Sequence, residues 1–197
     1  MTKRSGFARQ GIYNRNNELF AFELLYRYAG KSPQFQLGDK ETSWIIKKII
    51  ENPNIDTLID GKKAFINFTY NHLVQHVPLL LSKDKIVIEV LESTPINNTM
   101  IQSLQLFKKK GYTIALDDFV YHPHTEYLLE LADIIKIDVL KQEEPQIEAQ
   151  LRLLHNYEGA LLAEKVETRI QYETCFALGF NYFQGFYLHK PDLLSIT

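Results

Sequence analysis

Five apolar segments of strand length end at acidic or amide side chains, and these side chains are the best candidates for chemistry in the sequence. The segments end at Asn67, Glu89, Asp117-Asp118, Asp138 and Glu164. Apolar runs such as residues 86–88 are typical of parallel strands that are buried on both faces, and a charge beside such a strand is costly unless it is paired or bound to metal. Because the segments alternate with helical stretches, we expect the five endings to meet at the carboxyl edge of one sheet. Barrel and open α/β enzymes place their active sites at that edge.

The adjacent residues Asp117 and Asp118 point to divalent metal ions. Successive strand side chains point to opposite faces, so at a strand end one aspartate can face the barrel axis and the other the loop. Neighbouring carboxylates repel each other unless a cation lies between them. Paired acids that hold two divalent ions about 3.5–4 Å apart suit phosphodiester hydrolysis. The alternative is that Asp118 caps the following helix.

Lys136 lies inside the apolar strand predicted at residues 134–138. A lysine in the middle of a strand either reaches a buried anion or lies on a solvated edge. Among several carboxylates, Lys136 would hold the acids together and stabilise the negative charge that develops on a phosphate. The alternative is an ordinary edge lysine that pairs with Asp138.

Other candidate residues have competing structural interpretations. Glu89 either joins the polar site or enters solvent where its strand ends. Glu167 either serves the site or lies at a helix start, where the helix dipole favours acids. Asn67 is either a metal-bound amide or a turn residue. His72 and His76 have the i,i+4 spacing of zinc ligands, but no third ligand is nearby, and we interpret them as solvated or capping residues.

The composition is that of an ordinary globular protein and excludes several functional classes. Of the 197 residues, 45% are hydrophobic and 23% are charged, and the formal net charge of -2 leaves no broad basic surface for duplex nucleic acid. Cys175 is the only cysteine, which excludes an internal disulfide and a cysteine-based zinc site. No run of about 18 apolar residues predicts a membrane span, and the first residues lack the apolar region of a signal peptide. We therefore expect a cytoplasmic protein without a membrane role.

The order of predicted elements favours one (β/α)-type barrel domain over residues 1–197. Strands at 6–13 and 19–26 form an opening hairpin, and a loop follows at 28–40. Helices are predicted around 44–50, 71–82, 95–110, 123–132, 144–157 and 168–178. Strands are predicted at 65–68, 85–91, 112–117, 134–138, 160–164 and 182–188. Eight strands, six of them alternating with helices, indicate an α/β barrel with an irregular start. Since 197 residues are few for this fold, we expect some helices to be short.

Seven motifs in fixed order resemble those of the EAL domain family, the bacterial cyclic-di-GMP (c-di-GMP) phosphodiesterases. The motifs are Glu23-Leu24-Leu25-Tyr26-Arg27 for E-A-L-x-R, Ile66-Asn67-Phe68-Thr69 for I-N-x-S, Glu89-Val90-Leu91-Glu92 for E-x-T-E, Leu116-Asp117-Asp118-Phe119 for L-D-D-F, Lys136-Ile137-Asp138 for K-I-D, Ala163-Glu164-Lys165-Val166-Glu167-Thr168 for A-E-G-V-E-T, and the stretch from Gln184 to Pro191 for the closing Q-G-Y-x-x-x-K-P. Each motif is weak alone, but the ordered set is specific. Phe7-Ala8-Arg9-Gln10 further resembles the EAL half of EAL–HDOD hybrid proteins, which implies a helical HDOD domain after the barrel.

The resemblance implies a modified TIM-type (β/α)8 barrel whose first strand is antiparallel. It also implies one or two Mg²⁺ or Mn²⁺ ions. The implied ligands of the first ion are Glu23, Asn67, Glu89 and Asp117. Asp118 and Glu164 would help to hold a second ion. Six acids of the motifs are too many to coexist at one site without cations, and two divalent ions plus Lys136 would neutralise most of their charge. They are Glu23, Glu89, Asp117, Asp118, Glu164 and Glu167.

The resemblance also implies how the remaining residues act. Glu164 would assist deprotonation of the attacking water, Lys136 would steady the water or the phosphate, and Glu167 and Gln184 would support the site. Arg27 would contact a phosphate with its fork of donors. Gln10 and Pro191 would border a guanine. The substrate would be c-di-GMP and the product the linear dinucleotide pGpG.

The sequence departs from the family in the loop that follows Asp118. The family continues G-T-G-Y-S-S, a loop that organises the second metal and couples it to dimerisation, whereas residues 120–125 read Val-Tyr-His-Pro-His-Thr. Both glycines are replaced, so we expect strain wherever the loop needs positive φ. Glu92, which anchors that loop in the family, is present. Two functions follow: a metal-dependent phosphodiesterase with weakened activity, or an inactive EAL module that binds c-di-GMP or a protein partner.

Overall fold

The computed structural model describes residues 6–27, 38–51 and 55–194, and most of the loop predicted at 28–40 lies outside them. Within these ranges the strands are β1 (Gly6–Asn14), β2 (Leu19–Arg27), β3 (Lys63–Phe68), β4 (Ile86–Val90), β5 (Thr113–Leu116), β6 (Ile134–Asp138), β7 (Ala160–Glu164), β8 (Tyr182–Phe183) and β9 (Asp192–Leu194). The helices are α1 (Asp39–Glu51), α2 (Ile55–Leu58), α3 (Tyr70–Val74), α4 (Asn98–Lys110), α5 (Glu126–Leu129), α6 (Glu144–Leu153) and α7 (Arg169–Ala177). Two 3-10 turns lie at Val77–Leu80 and Pro123–Thr125.

The strands close into an eight-stranded barrel. Neighbouring strands from β2 to β8 pair in parallel and in chain order. β1 closes the ring because it pairs antiparallel with both β2 and β8, and β9 lies antiparallel along the rest of β1. This topology confirms the predicted α/β barrel with an antiparallel first strand. β9 was not predicted.

Local sequence explains why several elements begin and end where they do. In the β1–β2 turn, the Asn14 side chain accepts hydrogen bonds from the backbone N–H groups of Asn16 and Glu18, the local bonding that makes asparagine a turn residue. Helix α4 begins where the Asn97 side chain accepts from the backbone N–H of Met100, and it ends at Gly111, whose φ of 84° suits glycine. The predicted start at Pro95 was therefore wrong, because the cap is Asn97.

Three predicted elements are shorter than expected. The helix predicted at 71–82 stops at Val74, because His76 takes a left-handed φ of 57° and Pro78 opens a 3-10 turn instead. The region predicted as a helix at 123–132 is a 3-10 turn followed by the short α5. The strand predicted at 182–188 ends at Phe183, and the chain then turns at Gly185, which has a φ of 157°.

An apolar layer fills one end of the barrel interior. It consists of Ile12, Ala21, Phe65, Val87, Ala115, Ile134 and Leu162. The larger apolar cluster lies outside the strands, between the sheet and helices such as α1, whose buried residues Thr42, Ile45, Ile46 and Ile49 follow helical spacing. Because the inner layer ends partway along the barrel, the carboxyl half of the interior is left to other side chains. Among the described residues, no helix has both the length and the apolar character needed to cross a membrane.

Candidate metal centre and active site

A polar layer follows the apolar layer inside the barrel. Each member lies two residues beyond the position of the apolar layer on its strand, or two residues before that position on the antiparallel β1. The two layers therefore lie on the same face of the sheet, the one that faces the barrel interior. The members of the polar layer are Gln10, Glu23, Asn67, Glu89, Asp117, Lys136, Glu164 and Gln184. The alternation of the strands thus carries all eight side chains to the end of the barrel where the parallel strands β2 to β8 have their carboxyl ends, as the sequence predicted for the acids.

Lys136 lies at the centre of the polar layer. Its side chain is fully buried, and its ammonium group pairs with Glu89, with Asp117 at 2.9 Å and with Glu164 at 2.7 Å. Burial alone would lower the pKa of Lys136, but the surrounding carboxylates raise that pKa well above its ordinary value. Lys136 is therefore a buried cation, and the alternative of an edge lysine paired with Asp138 was wrong.

The same burial acts in the opposite direction on two of the acids. It raises the pKa of Glu89 well above its ordinary value and the pKa of Glu164 to about 8, although Lys136 opposes both shifts. Glu89 is completely buried, so the alternative that it enters solvent was wrong. Burial also opposes ionisation of Asp117, but the charge of Lys136 outweighs it and lowers the pKa of Asp117. One lysine therefore does not compensate all of these carboxylates.

Several buried oxygen atoms at the site have no hydrogen-bond donor among the described residues. They are Asn67 Oδ1, Glu89 Oε2, Asp118 Oδ1, Glu164 Oε2 and Gln184 Oε1. The amide of Asn67 uses its nitrogen to donate to Glu23 Oε1 at 3.1 Å, which leaves its oxygen available. Buried acceptors without donors are costly, and each of these atoms would be satisfied by a cation.

Within the described part of the chain, two groups of acids are close enough to hold a metal ion. Glu23, Glu89 and Glu164 form one group, and Asp117, Asp118 and Glu164 form the other; within each group the candidate ligand oxygens lie within 4.8 Å of one another. Glu164 belongs to both groups. Carboxylate and amide oxygens are the ligands that Mg²⁺ and Mn²⁺ prefer, so these residues fit the predicted metal ions.

We expect the metal-free protein to become less stable as the pH rises from about 6.5 to about 8, the pKa of Glu164 in the folded protein. The window begins at about 6.5 because this is the ordinary pKa of histidine, and histidines are mostly neutral above it. The pKa of Glu164 in the folded protein exceeds its ordinary value of 4.5, so the folded state binds more protons in this window than the unfolded state. The free energy of unfolding then falls with pH by up to about 1.4 kcal/mol per pH unit for each such group. Urea unfolding in EDTA measures the slope.

Two controls accompany this measurement. Glu164→Gln should reduce the slope, and saturating Mn²⁺ should also reduce it because the ion replaces the proton. A stability that stays level or rises across this window in EDTA would contradict the prediction.

A cavity of about 850 Å³ opens above the polar layer. Its floor contains Glu23, Asn67, Asp117, Asp118 and Glu164, and its walls include the apolar side chains of Tyr26, Leu91, Leu140 and Phe186. The candidate metal groups therefore face a space that is open to a ligand.

The remaining predicted residues take varied positions. Gln184 donates to Glu23 Oε2 at 2.7 Å and to Gln10 Oε1 at 3.3 Å, so both glutamines are buried supports of the site. Glu167 and Glu92 lie exposed on the cavity rim, and their predicted roles stay predictions. Pro191 is not among the described residues that line the cavity, and the side chain of Arg27 lies outside the described residues.

The structure brings two residues to the site that the sequence analysis did not include in it, Lys141 and Lys165. Both pair with Asp138, which is buried and is one of the five predicted strand endings. Lys141 also contacts Asp118 Oδ2 at 2.6 Å. The replacement of a motif glycine by Lys165 was a usable signal. Lys141 lies in a polar loop after β6 and had no signal.

The strain that the sequence predicted within the loop after Asp118 lies at other positions. Residues 119–125 do not have positive φ values; Asp118, with φ of 41°, and Lys165, with φ of 57°, have them instead. The loop contains the 3-10 turn at Pro123–Thr125, which is capped by reciprocal hydrogen bonds between His122 and Thr125. The alternative that Asp118 caps the next helix was therefore wrong.

Comparisons with known proteins agree with this geometry. The family model described as EAL domain matches residues 8–191. The chain is 37% identical over 95% of its length to the protein YuxH of Bacillus subtilis (strain 168), and it covers 47% of that protein. It is 31% identical over 95% of its length to the cyclic di-GMP phosphodiesterase CdgJ of Vibrio cholerae and covers 44% of that protein. The chain thus spans about half the length of these curated relatives.

A solved structure with the same fold is the Bacillus subtilis YkuI protein, with an EAL domain, in complex with substrate c-di-GMP and calcium. The TM-score is 0.75 at 20% identity, and the match covers 98% of this chain and 57% of that one. This likeness establishes the fold. Together with the match over residues 8–191, the ordered motifs and the polar layer, it leads to one conclusion: the chain belongs to the EAL domain family.

Proposed function

We propose that this chain hydrolyses c-di-GMP to linear pGpG with the help of Mg²⁺ or Mn²⁺. Membership of the EAL domain family supports this proposal. A relative that is 31% identical carries the name cyclic di-GMP phosphodiesterase, and the YkuI structure of the same fold holds c-di-GMP with calcium. The predicted HDOD domain and cytoplasmic location stay predictions, and so does a homodimer, which the resemblance to a family with a dimerisation-coupled loop implies.

The observation that carries the proposal is that two acid groups share Glu164 beneath one open cavity. Each group contains buried carboxylate oxygens without hydrogen-bond donors. When bound, a pair of divalent ions supplies Lewis-acid polarisation of a phosphate and a water of lowered pKa. A site for phosphodiester hydrolysis needs both effects on the two sides of one phosphorus atom.

The chain's own residues divide the work between holding ions and handling charge. The proposed ligands are Glu23, Asn67, Glu89 and Asp117 for one ion, and Asp118 and Glu164 for the second. Asp117 also lies in the acid group of the second ion, and Glu164 lies in both groups. Glu164 would also accept the proton of the attacking water, since it reaches both groups. The ammonium of Lys136 would fix the acids and offset the negative charge that develops on the phosphate.

The cavity fits a dinucleotide in size and in chemistry. Its volume of about 850 Å³ is within the usual range for ligand pockets of about 300–1,000 Å³. Its polar floor would take a phosphate, while Tyr26, Leu91 and Phe186 on the walls offer apolar surface to bases. Gln10 would border a base and Arg27 would contact a phosphate, as predicted, while Gln184 would support the site through Glu23.

Incubation of the purified chain with c-di-GMP and Mn²⁺ or Mg²⁺ tests the proposal directly. We expect linear pGpG by chromatography, no product in EDTA, and no product from the Glu23→Ala variant. Correct folding of that variant would be checked by circular dichroism. Absence of product at high concentrations of folded protein and metal would reject hydrolysis for this chain.

One observation favours a second candidate function, which is c-di-GMP binding without turnover. Asp118, a proposed ligand of the second ion, is already paired with Lys141 at 2.6 Å and lies 3.6 Å from Lys165. If those lysines stop the second ion from binding, the site would hold the dinucleotide and leave it intact. Calorimetric binding of c-di-GMP in Ca²⁺ or Mn²⁺, together with absent pGpG, would favour this function over hydrolysis.

A further inference from the structure

Two lysines surround the acids at the ends of β5 and β6. Lys141 Nζ lies 2.6 Å from Asp118 Oδ2 and 3.3 Å from Asp138 Oδ2. Lys165 Nζ donates to Asp138 Oδ2 and lies 3.6 Å from Asp118 Oδ1. Each aspartate therefore faces both ammonium groups. We call these four residues the lysine–aspartate cluster.

The backbone at this cluster is strained at two residues. Asp118 has a φ of 41° and Lys165 a φ of 57°, and left-handed conformations are unfavourable for residues other than glycine. A glycine would take this conformation at position 165 without that cost. The ion pair with Asp138 places the ammonium group of Lys165 beside Asp118.

The cluster touches only one of the two acid groups. Asp118 belongs to the group of Asp117, Asp118 and Glu164, and its Oδ1 is buried without a hydrogen-bond donor. Lys136 does not distinguish the groups, because it pairs with Glu89 and with Asp117 as well as with the shared Glu164. Among the acids of the two groups, Lys141 and Lys165 form ion pairs with Asp118, which makes the two groups electrostatically unequal.

We propose that Lys165 and Lys141 act as tethered cations on Asp118, so that the Asp117–Asp118–Glu164 group binds its divalent ion more weakly than the Glu23–Glu89–Glu164 group. This inference rests on the proposed function only in that the two groups bind metal. A divalent ion at the second group must displace ammonium groups that are already 2.6 Å and 3.6 Å from the carboxylate oxygens of Asp118. Two positive charges this close to the carboxylate oxygens of Asp118 would repel an ion that binds the same oxygens, even at the higher dielectric of a cavity rim.

The consequence is a protein whose second ion loads only at high metal concentration or when something removes the lysines from Asp118. An anionic substrate is one agent that could draw them away, because a phosphate would offer Lys141 and Lys165 an alternative partner. Under this arrangement the metal content of the site, rather than its ligand set, limits turnover.

A titration with Mn²⁺ followed by electron paramagnetic resonance counts the ions without reference to activity. In the wild-type chain we expect one tightly bound Mn²⁺ and a second that binds at least about tenfold more weakly. The Lys141→Met/Lys165→Met double variant should tighten the second ion at least about tenfold, which is the effect of about 1.4 kcal/mol, and leave the first within a few fold. The tightened pair should also show the spectrum of coupled Mn²⁺ ions.

Two single variants separate charge from backbone strain. Lys165→Gly removes the charge and the strain together. It should tighten binding of the second ion, and the variant should fold at least as well as the wild-type chain. Lys165→Arg keeps the charge and the strained conformation and should leave the second ion weak. Lys47→Met, which removes an exposed lysine of α1, is the matched control and should change neither ion.

The outcomes distinguish this inference from the proposed function. Two ions of equal affinity in the wild-type chain, or an unchanged second ion in the double variant, would overturn the inference and leave metal-dependent hydrolysis standing. A second ion that tightens as expected, in a chain that never forms pGpG, would support the inference and reject hydrolysis. A wild-type chain that binds no Mn²⁺ at all would overturn both.

Discussion

Replacement of Lys136 by methionine should destabilise the metal-free protein by about 3–5 kcal/mol, the usual effect of removing one partner from a buried ion pair. Methionine is unbranched like the lysine side chain and only one atom shorter, but it cannot neutralise Glu89, Asp117 and Glu164, which surround Lys136. These acids would then have to ionise beside one another or take up protons. Urea unfolding in EDTA at about pH 8, near the pKa of Glu164, measures the loss.

Metal should rescue part of this loss. A divalent ion supplies positive charge to the same carboxylates, so we expect saturating Mn²⁺ to recover more stability in Lys136→Met than in the wild-type chain. Lys47→Met is the matched control, because its ion pair with Glu51 is exposed and should contribute no more than about 1 kcal/mol. If Lys136→Met were as stable as that control in EDTA, the acids would not be held together by the buried lysine.

The position of the polar layer could be predicted because it depends on local alternation. Phe65 and Asn67, or Val87 and Glu89, stand two residues apart on one strand and therefore share a face. Parallel strands align their carboxyl ends, so the polar residue that ends each apolar run arrives at the same edge of the sheet. The motif resemblance then added which oxygens would hold ions, including the amide of Asn67.

The lysine–aspartate cluster could not be predicted in the same way. Lys141 reaches Asp118 from a loop that follows a different strand, and the contact depends on the path of that loop and on a long flexible side chain. Lys165 replaces a glycine of the motif, which signals a change of backbone or charge but does not say which anion the ammonium finds. Asp138 was assigned to Lys136 as one alternative, whereas the barrel turns Lys136 toward Asp117 and Glu164.

Helix boundaries were less predictable than strand positions. The apolar spacing around residues 71–82 suits a helix, but Pro78 and the left-handed His76 divide the stretch into α3 and a 3-10 turn. His72 illustrates the effect on function. It is buried between Thr69 and Ser43, with hydrogen bonds of 2.7 Å and 2.8 Å, and so helps to pack α3 against α1. The predicted solvated position of His72 was therefore wrong.

Glu164→Gln should lower the rate of pGpG formation by at least about 100-fold, more than the 10–100-fold typical of residues that only support a metal ligand. Glu164 is the one acid shared by both groups, so the substitution weakens both ion sites and removes the proposed proton acceptor. The glutamine keeps the shape of the side chain and can still accept a hydrogen bond from Lys136, so we expect the fold to survive.

The same variant should distinguish what Glu164 contributes to metal binding from what its burial costs in stability. Glutamine removes a carboxylate whose pKa burial raises to about 8, so the metal-free variant should be at least as stable as the wild-type chain above that pH, even as activity disappears. Glu158→Gln, an exposed position just before β7 and therefore at the opposite end of the same strand, is the matched control and should keep both activity and Mn²⁺ binding. A gain in metal-free stability that accompanies a loss of turnover is expected only of a buried ligand. Unchanged activity in Glu164→Gln would instead exclude Glu164 as a ligand at both ion sites. A loss of activity with normal binding of two Mn²⁺ ions would restrict its role to proton transfer.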